Sequence, residues 1–298
     1  MPTFVRQLET VMMAPMMICG SAACGGDAMR SEKAVKSTAG GSAAERGLDF
    51  QARASAIVMA HLLAERPIGW LEGILDETPF ELDAETGGPG DDIRFVTKGG
   101  KRVELQVKRG LQSGKDLWEA LLALSVGISV GKIDAGVLAV CPDSSGTIRA
   151  KLAEDIVRLG TGRSDGLREI GRAWAEKLSG AALDASLVCR HLRIVVVSAV
   201  DGNREAEATA IERLSSVVHD PMSAWPVLVD TGRRLIRMRG RVTPEDICRY
   251  LSLAHVGLKT SDIDTRAQLL AATREWLHST HASMTLIGIN GAVPFNAC

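Results

Sequence analysis

The stretch DDIRFVTKGGKRVELQVKRG, residues 91–110, decides the fold. Residues 102–109, RVELQVKR, alternate strictly, so Val103, Leu105 and Val107 point one way and Glu104, Gln106 and Lys108 the other, as a strand requires. Residues 91–97, DDIRFVT, read as a second strand, entered through GGPG and closed by KGG. So short a connection makes the two strands antiparallel neighbours, which carries an acid at the start of one toward the end of the other. Either Asp91 or Asp92 can supply that acid; Asp92 is favoured, because with Ile93 and Phe95 facing the core it falls on the opposite face, beside Gln106 and Lys108. A carboxylate, an amide oxygen and an ammonium would then converge. Oxygen donors suit a hard cation such as Mg2+ (or Mn2+), and a lysine beside it can orient or activate water and offset charge on a phosphate. Glu104 shares the Gln106 face, as an auxiliary metal ligand or as a solvated edge residue.

Outward from this hairpin the signals alternate between helix and strand. In LDFQARASAIVMAHLLAE, Phe50, Ala54, Ile57, Val58 and Leu62 share a helical face, with Asp49 as N-cap and Pro67 beyond the end. TPFELDAE (78–85) reads as a strand, residues 115–130 as an amphipathic helix, and AGVLAV (135–140) as a strand buried on both faces and stopped by Pro142. The expected fold is therefore α/β: helix, a mixed sheet of three to four strands, helix, strand. Past 145, helices are expected at 147–159, 164–178, 204–218, 244–255 and 262–279, the fourth capped by Thr243 with Pro244 in its first turn. One strand, 192–200, lies among them. Residues 1–44, rich in Met, Ala, Gly and Ser, have no sustained period and read as poorly ordered. The division is thus 1–44, an α/β domain over 45–145, and an α-rich domain over 146–298 with one buried strand.

Composition narrows the function classes. A net charge of −1 excludes a uniformly basic coat for nucleic acid but permits a local basic groove. Such a groove is foreshadowed between 98 and 115, where Lys98, Lys101, Arg102, Lys108, Arg109 and Lys115 face a single acid, Glu104; Arg109 and Lys115 flank the hairpin site and are the candidate phosphate contacts. Aromatic residues make up only 4%, which argues against a base-stacking platform. Six cysteines, at 19, 24, 141, 189, 248 and 298, give neither a CxxC pair nor a zinc quartet and suit reduced thiols in the cytoplasm. There is no run of 18 apolar residues, so no membrane span is expected. The first 24 residues faintly resemble a secretion signal, but Glu9 adjoins and Pro15 interrupts the apolar stretch.

The hairpin with its preceding helix resembles the PD-(D/E)xK nuclease superfamily, with Asp92 as the acid and Gln106-Val107-Lys108 as the (E/Q)xK element. GLDFQARASAIVMAHLL resembles the first helix of the Mrr-like and related antiphage double-stranded DNA endonuclease effectors, whose Gly-x-x-(Phe/Tyr)-Gln opening corresponds to Gly47–Gln51. The resemblance covers about one third of the chain. It implies a restriction-endonuclease-like core, Mg2+-dependent cleavage of DNA in bacterial antiphage defence, metal ligation by Asp92 and Gln106, and supporting roles for Gln51 and, more weakly, Glu85. Gln106 in place of the commoner Glu removes a charge from the metal site and keeps open a catalytically inactive, nuclease-like DNA-binding or scaffolding module. A third reading is a helical oligomerisation or regulatory domain whose hairpin matches by coincidence.

The remaining signals point elsewhere. His278 and His281 have no acidic partner nearby in sequence and read as surface residues, and a Cys189–His191 dyad would need two neighbours on a strand to meet. GTGRSDG (160–166) is Gly-rich, yet no GxxxxGK[ST] occurs. Trp118, Trp174, Trp225 and Trp276 fall in apolar patterns and are expected in the core. The C-terminal half faintly resembles the region that follows the nuclease in large antiphage proteins carrying a sensor or NTPase module further on, which implies a separate sensor or NTPase protein as partner; the ending TLIGINGAVPFNAC, with no cap or polar tail, leaves open a shortened chain, and a homo-oligomer is a further expectation.

Overall fold

The computed structural model describes residues 30–259 and 273–276, with side chains from 44 onward. The hairpin organises it. β1 (Pro79–Ala84), β2 (Ile93–Thr97) and β3 (Arg102–Lys108) run antiparallel in turn, while β4 (Ala135–Val140) and β5 (Leu192–Val196) follow parallel to β3. A two-residue strand, β6 (Arg241–Val242), pairs antiparallel with β1, so the mixed sheet has six strands in the order β5-β4-β3-β2-β1-β6. The expected three to four strands are all present; β5 and β6 extend them.

Both sheet faces are covered, by two separate apolar layers. α1 (Arg30–Leu63) lays Phe50, Ala54, Ile57, Val58 and Leu62 in the layer that holds Ile93, Phe95, Val103, Leu105 and Val107. A fully buried side chain such as Phe50 or Phe95 contributes about 1.5–3 kcal/mol. On the opposite face α2 (Lys115–Ser129) packs Leu117, Leu121 and Leu124 with Leu138 and Val140 of β4. α2 is also the crossover that parallel β3 and β4 require. A π-turn (Thr147–Leu152) runs into α3 (Ala153–Gly160), followed by α4 (Glu169–Gly180) and α5 (Ala185–Arg190), and these complete the second layer around buried Trp174. α6 (Glu205–Leu214), α7 (Pro221–Met238) and α8 (Pro244–Leu253) join the first layer through Leu214, Trp225, Leu228 and Leu251.

The boundary expected at 145/146 falls within one sheet: β5 continues the sheet that β3 and β4 begin, and the described residues from Ala43 onward group into one unit. Asp49 is no N-cap, because α1 starts at Arg30, inside the segment read as poorly ordered; mid-helix, Asp49 pairs with Arg53 at 2.8 Å and Arg233 at 2.6 Å. Residues 1–29 lie outside the described residues. No element was expected over 221–238, where α7 forms; Asp220 caps it and Pro221 occupies the first turn, where no N–H is needed. By contrast Thr243 forms the expected cap of α8, as a capping box with Asp246. Of the helix expected over 262–279, residues 273–276 are described and helical. Trp174 and Trp225 are in the core, whereas Trp118 is half-buried, stacked on Trp174 at 6.1 Å between centroids, and Trp276 is half-buried.

No helix among the described residues is long and apolar enough to cross a membrane.

Candidate functional site

The site forms where β2 leaves the sheet. β2 and β3 pair from Ile93↔Leu105 to Val96↔Arg102, and before Ile93 the chain turns away through residues 85–92. Val107 therefore has no strand partner for its N–H on that side, and the Asp92 carboxylate takes the bond: Oδ2 accepts from Val107 N at 2.7 Å. The same oxygen lies 3.3 Å from Lys108 Nζ. Asp92 and Lys108 thus meet as the alternation in sequence requires. Burial pushes the Asp92 carboxyl above the ordinary carboxylate range; Lys108 and the Val107 N–H pull it down, and the negative charge of Glu85 adds to the rise.

The turn that delivers Asp92 is held from two sides. From β3, the Glu104 carboxylate, 1% exposed, accepts from Gly90 N at 2.6 Å, and the Gln106 amide donates to Pro89 O at 3.3 Å. The turn lies so close to β3 that a Cβ on Gly90 would sit 2.4 Å from Glu104 Cβ and 2.7 Å from Leu105 N. From α1, buried Gln51 donates through Nε2 to Glu85 Oε1 at 2.8 Å and to Asp92 O at 3.1 Å. Gln51, Glu85 and Asp92 are thereby drawn together from helix, strand end and turn.

Two sequence candidates fall away from the centre. Asp91 is exposed at φ +32° and turns its carboxylate onto Gly87 N at 3.1 Å, so Asp92 is the acid that meets Lys108. Glu104 is neither a solvated edge residue nor an open ligand: its carboxylate is buried and committed to the turn. Alternation placed it on the right face, but depth decides what it does.

Beside Lys108 an open groove of about 730 Å³ runs between the end of β3 and α2, lined by Gln106, Lys108, Arg109, Ser113, Lys115 and Glu119 among others, with no aromatic residue. Arg109 pairs loosely with Asp143 at 3.4 Å and Lys115 with Glu119 at 3.5 Å, both in solvent-facing positions that a stronger anion can take over. The sequence brought Arg109 and Lys115 to the site; what it could not show is that α2 forms the facing wall.

The other sequence signals carry no chemistry of this kind. Cys189 is buried in α5 and its thiol is pushed up to about 11, chiefly by burial, which makes it a poor nucleophile. His278 and His281 lie outside the described residues. Among the described residues no group of three or more His, Cys, Asp and Glu is placed to hold a metal ion.

No protein-family model matches the sequence, and no curated protein matches it. Among solved structures the chain is similar to the Cap4 SAVED/CARF-domain containing receptor of Moraxella osloensis, at 16% identity and a TM-score of 0.43, over 70% of this chain and 47% of that one. It is likewise similar to the Acinetobacter baumannii Cap4 SAVED/CARF-domain containing receptor with the cyclic trinucleotide 3'3'3'-cAAA, at 14% identity and a TM-score of 0.44, over 75% of this chain and 49% of that one. The chain spans about half the length of these receptors. Likeness at this level assigns no residue a role.

Proposed function

We propose that the chain is a metal-dependent endodeoxyribonuclease with a restriction-endonuclease-like core of the PD-(D/E)xK kind, cutting double-stranded DNA with low sequence specificity. The observation that carries this reading is the approach of Lys108 Nζ to Asp92 Oδ2, 3.3 Å, at the head of a groove that Gln106, Arg109 and Lys115 line. A cytoplasmic role in bacterial antiphage defence rests on the sequence resemblance of the first helix and the QxK strand.

The donor set fits a hard divalent cation. Asp92 offers a carboxylate and Gln106 an amide oxygen, and Mg2+ commonly takes only one or two protein carboxylates, filling its shell with waters and substrate phosphate. Asp92 is also a desolvated carboxylate that Lys108 and Val107 leave under-compensated, as a metal ligand awaiting its ion should be. Bound Mg2+ or Mn2+ would acidify a water and neutralise charge on the scissile phosphate. Asp92 and Gln106 would hold it. Lys108, 35% exposed toward the groove, would orient or activate the attacking water and stabilise the charge that builds on phosphorus. Arg109 and Lys115 would take backbone phosphates, which positions a duplex without reading its bases. Gln51 and Glu104 fix the turn that aims Asp92.

Plasmid cleavage by the purified chain with Mg2+ or Mn2+ tests this. Lys108→Ala and Asp92→Asn are each expected to lower the rate by at least about 100-fold, the usual scale for losing a positioned acid–base group. Undiminished cleavage in both variants would remove the assignment. The second reading, an inactive nuclease-like DNA-binding module, is favoured by the single carboxylate of the donor pair and by the tie of the Gln106 amide to Pro89 O. Metal-independent duplex binding with no cleavage under any divalent cation would decide for it.

A further inference from the structure

At the β5 edge of the sheet lies another pocket. It measures about 430 Å³ and is lined by Gly73, Val157, the turn 160–162, Ser186, Cys189, Arg190 and Arg193, with two guanidinium groups and no carboxylate. Several arginines of this chain are answered by acids, as Arg53, Arg94, Arg168, Arg233 and Arg241 are. Arg190 and Arg193 make no ion pair among the described residues.

Arg193 is fixed in an instructive way. Its Nη1 donates to Leu192 O at 2.8 Å, Cys189 O at 3.3 Å and Arg190 O at 3.5 Å, so one end of the guanidinium is tied to carbonyls at the end of α5 and the start of β5. Nε and Nη2 have no acceptor among the described residues, although a guanidinium carries five N–H donors. Half-buried without an acid, the group has its pKa held down, mainly by desolvation. The floor is rigid as well: a Cβ on Gly160 would lie 2.6 Å from Cys189 O, so α3 and α5 meet in backbone contact. Exposed Arg190 and the half-buried Ser186 complete a rim of donors. Such a rim suits a phosphate, whose oxygens accept from paired guanidinium N–H groups.

The pocket is distinct from the cleavage groove. Lys108 is in register with Val140 and, across β4, with Val196, whereas Arg193 lies three residues earlier on β5, opposite Val137. Leu192 and Ile194 face the α2 layer, so Arg193 faces the other way. We propose that Arg190, Arg193 and Ser186 form a second site, for a phosphate-bearing ligand, separate from the cleavage centre. The shared chemistry is a phosphate group, supplied either by a nucleic-acid backbone or by a free phosphate ester.

The test uses inorganic pyrophosphate as probe, with binding to the full chain measured by isothermal titration at constant ionic strength. An Arg109→Ala/Lys115→Ala background keeps the groove from contributing. Saturable binding is expected there, weakened at least tenfold by Arg193→Gln and also by Arg190→Gln, which is exposed and leaves the fold intact, and unaffected by Asp92→Asn. Displacement of pyrophosphate by duplex DNA assigns the site to a nucleic-acid backbone; no displacement assigns it to a free phosphate ester. Absence of saturable binding, or binding undiminished in both arginine variants, overturns the proposal. Because the readout is binding away from the groove, a failure of cleavage elsewhere does not enter it.

Discussion

Gly90→Ala is the substitution that most directly tests how the site is built. Gly90 is buried, and its missing side chain is what lets the turn before β2 lie on β3. An added Cβ would stand 2.4 Å from Glu104 Cβ, 2.7 Å from Leu105 N and 2.8 Å from Glu104 C. Two of these three atoms are backbone of a central strand, so no flexible side-chain tip can give way; the turn must lift. Overpacking of this kind costs about 1–3 kcal/mol. Lifting also lengthens the 2.6 Å bond from Gly90 N to the buried Glu104 carboxylate, a charge-assisted contact of about 1.5–3 kcal/mol. The two losses share one movement and are not fully additive, which puts the cost at about 2–5 kcal/mol. For a chain of this size that is a fall in Tm of roughly 4–20 °C. Gly100→Ala is the control: its φ is +80° but nothing lies within 4 Å of a Cβ there, so only the left-handed backbone penalty of about 1–2 kcal/mol applies. Thermal and urea unfolding followed by circular dichroism read both variants. A Gly90→Ala protein melting within 2–3 °C of the parent, or no lower than Gly100→Ala, would refute the claim that the turn is seated on Glu104.

Other expectations follow from the same contacts. Asp92→Asn keeps an oxygen for the Val107 N–H but removes a desolvated charge, so it should leave Tm unchanged or slightly higher while cleavage is lost; a marked fall in Tm would mean the carboxylate is structural. Arg109→Ala and Lys115→Ala should each weaken duplex binding regardless of sequence and reduce the slope of log K against log salt by about 1, as single phosphate contacts do; a sequence-dependent loss would argue against a backbone role. His61 is half-buried, with Nδ1 2.9 Å from Pro67 O, and that burial holds its pKa below the ordinary 6.5. The unfolded chain therefore binds the proton more readily, so stability is full above about pH 6.5 and falls as pH drops from there toward the folded-state pKa. His61→Gln should flatten urea midpoints across that window; an unchanged slope would contradict the assignment. Arg241 bonds Asp83 at 2.8 Å and Glu81 at 3.1 Å, so Arg241→Ala should release β6 from β1 and cost about 1–2 kcal/mol, read as a lower urea midpoint with faster amide exchange at Leu82 and Val242.

What could be read from the sequence was whatever is decided within a few neighbouring residues. β1 to β4 and α2 came from alternation, turn chemistry and an apolar run, and the start of α8 from Thr243 as cap and Pro244. What depends on distant packing was not legible. α7 contains a proline and begins with another, and only Asp220 as a cap and an apolar face toward the sheet make a helix of that stretch. β6 is two residues long and exists because Arg241 meets Asp83 and Glu81 on β1, some 160 positions earlier. The single unit from residue 43 onward was hidden for a similar reason: β5 looks the same in sequence whether it founds a second sheet or, as here, extends the first.

The polar face of β3 shows how far alternation can take a functional reading. Glu104, Gln106 and Lys108 are equivalent by period, and sequence can only say that they point the same way. In three dimensions the turn 85–92 crosses that face at a slant, so the three residues meet it at different depths. Glu104 is fully covered and becomes a fastening for Gly90; Gln106 is half covered and touches Pro89; Lys108 lies beyond the cover, where it reaches Asp92 and the groove together. The division of labour is thus set by the turn and not by the strand. It follows that exchanging side chains along β3 cannot move the reactive centre: Glu104→Lys would bury an unpaired ammonium under Gly90 and should unfold the chain, with no second site created. A Glu104→Lys protein that folds like its parent would show that the turn does not set these roles.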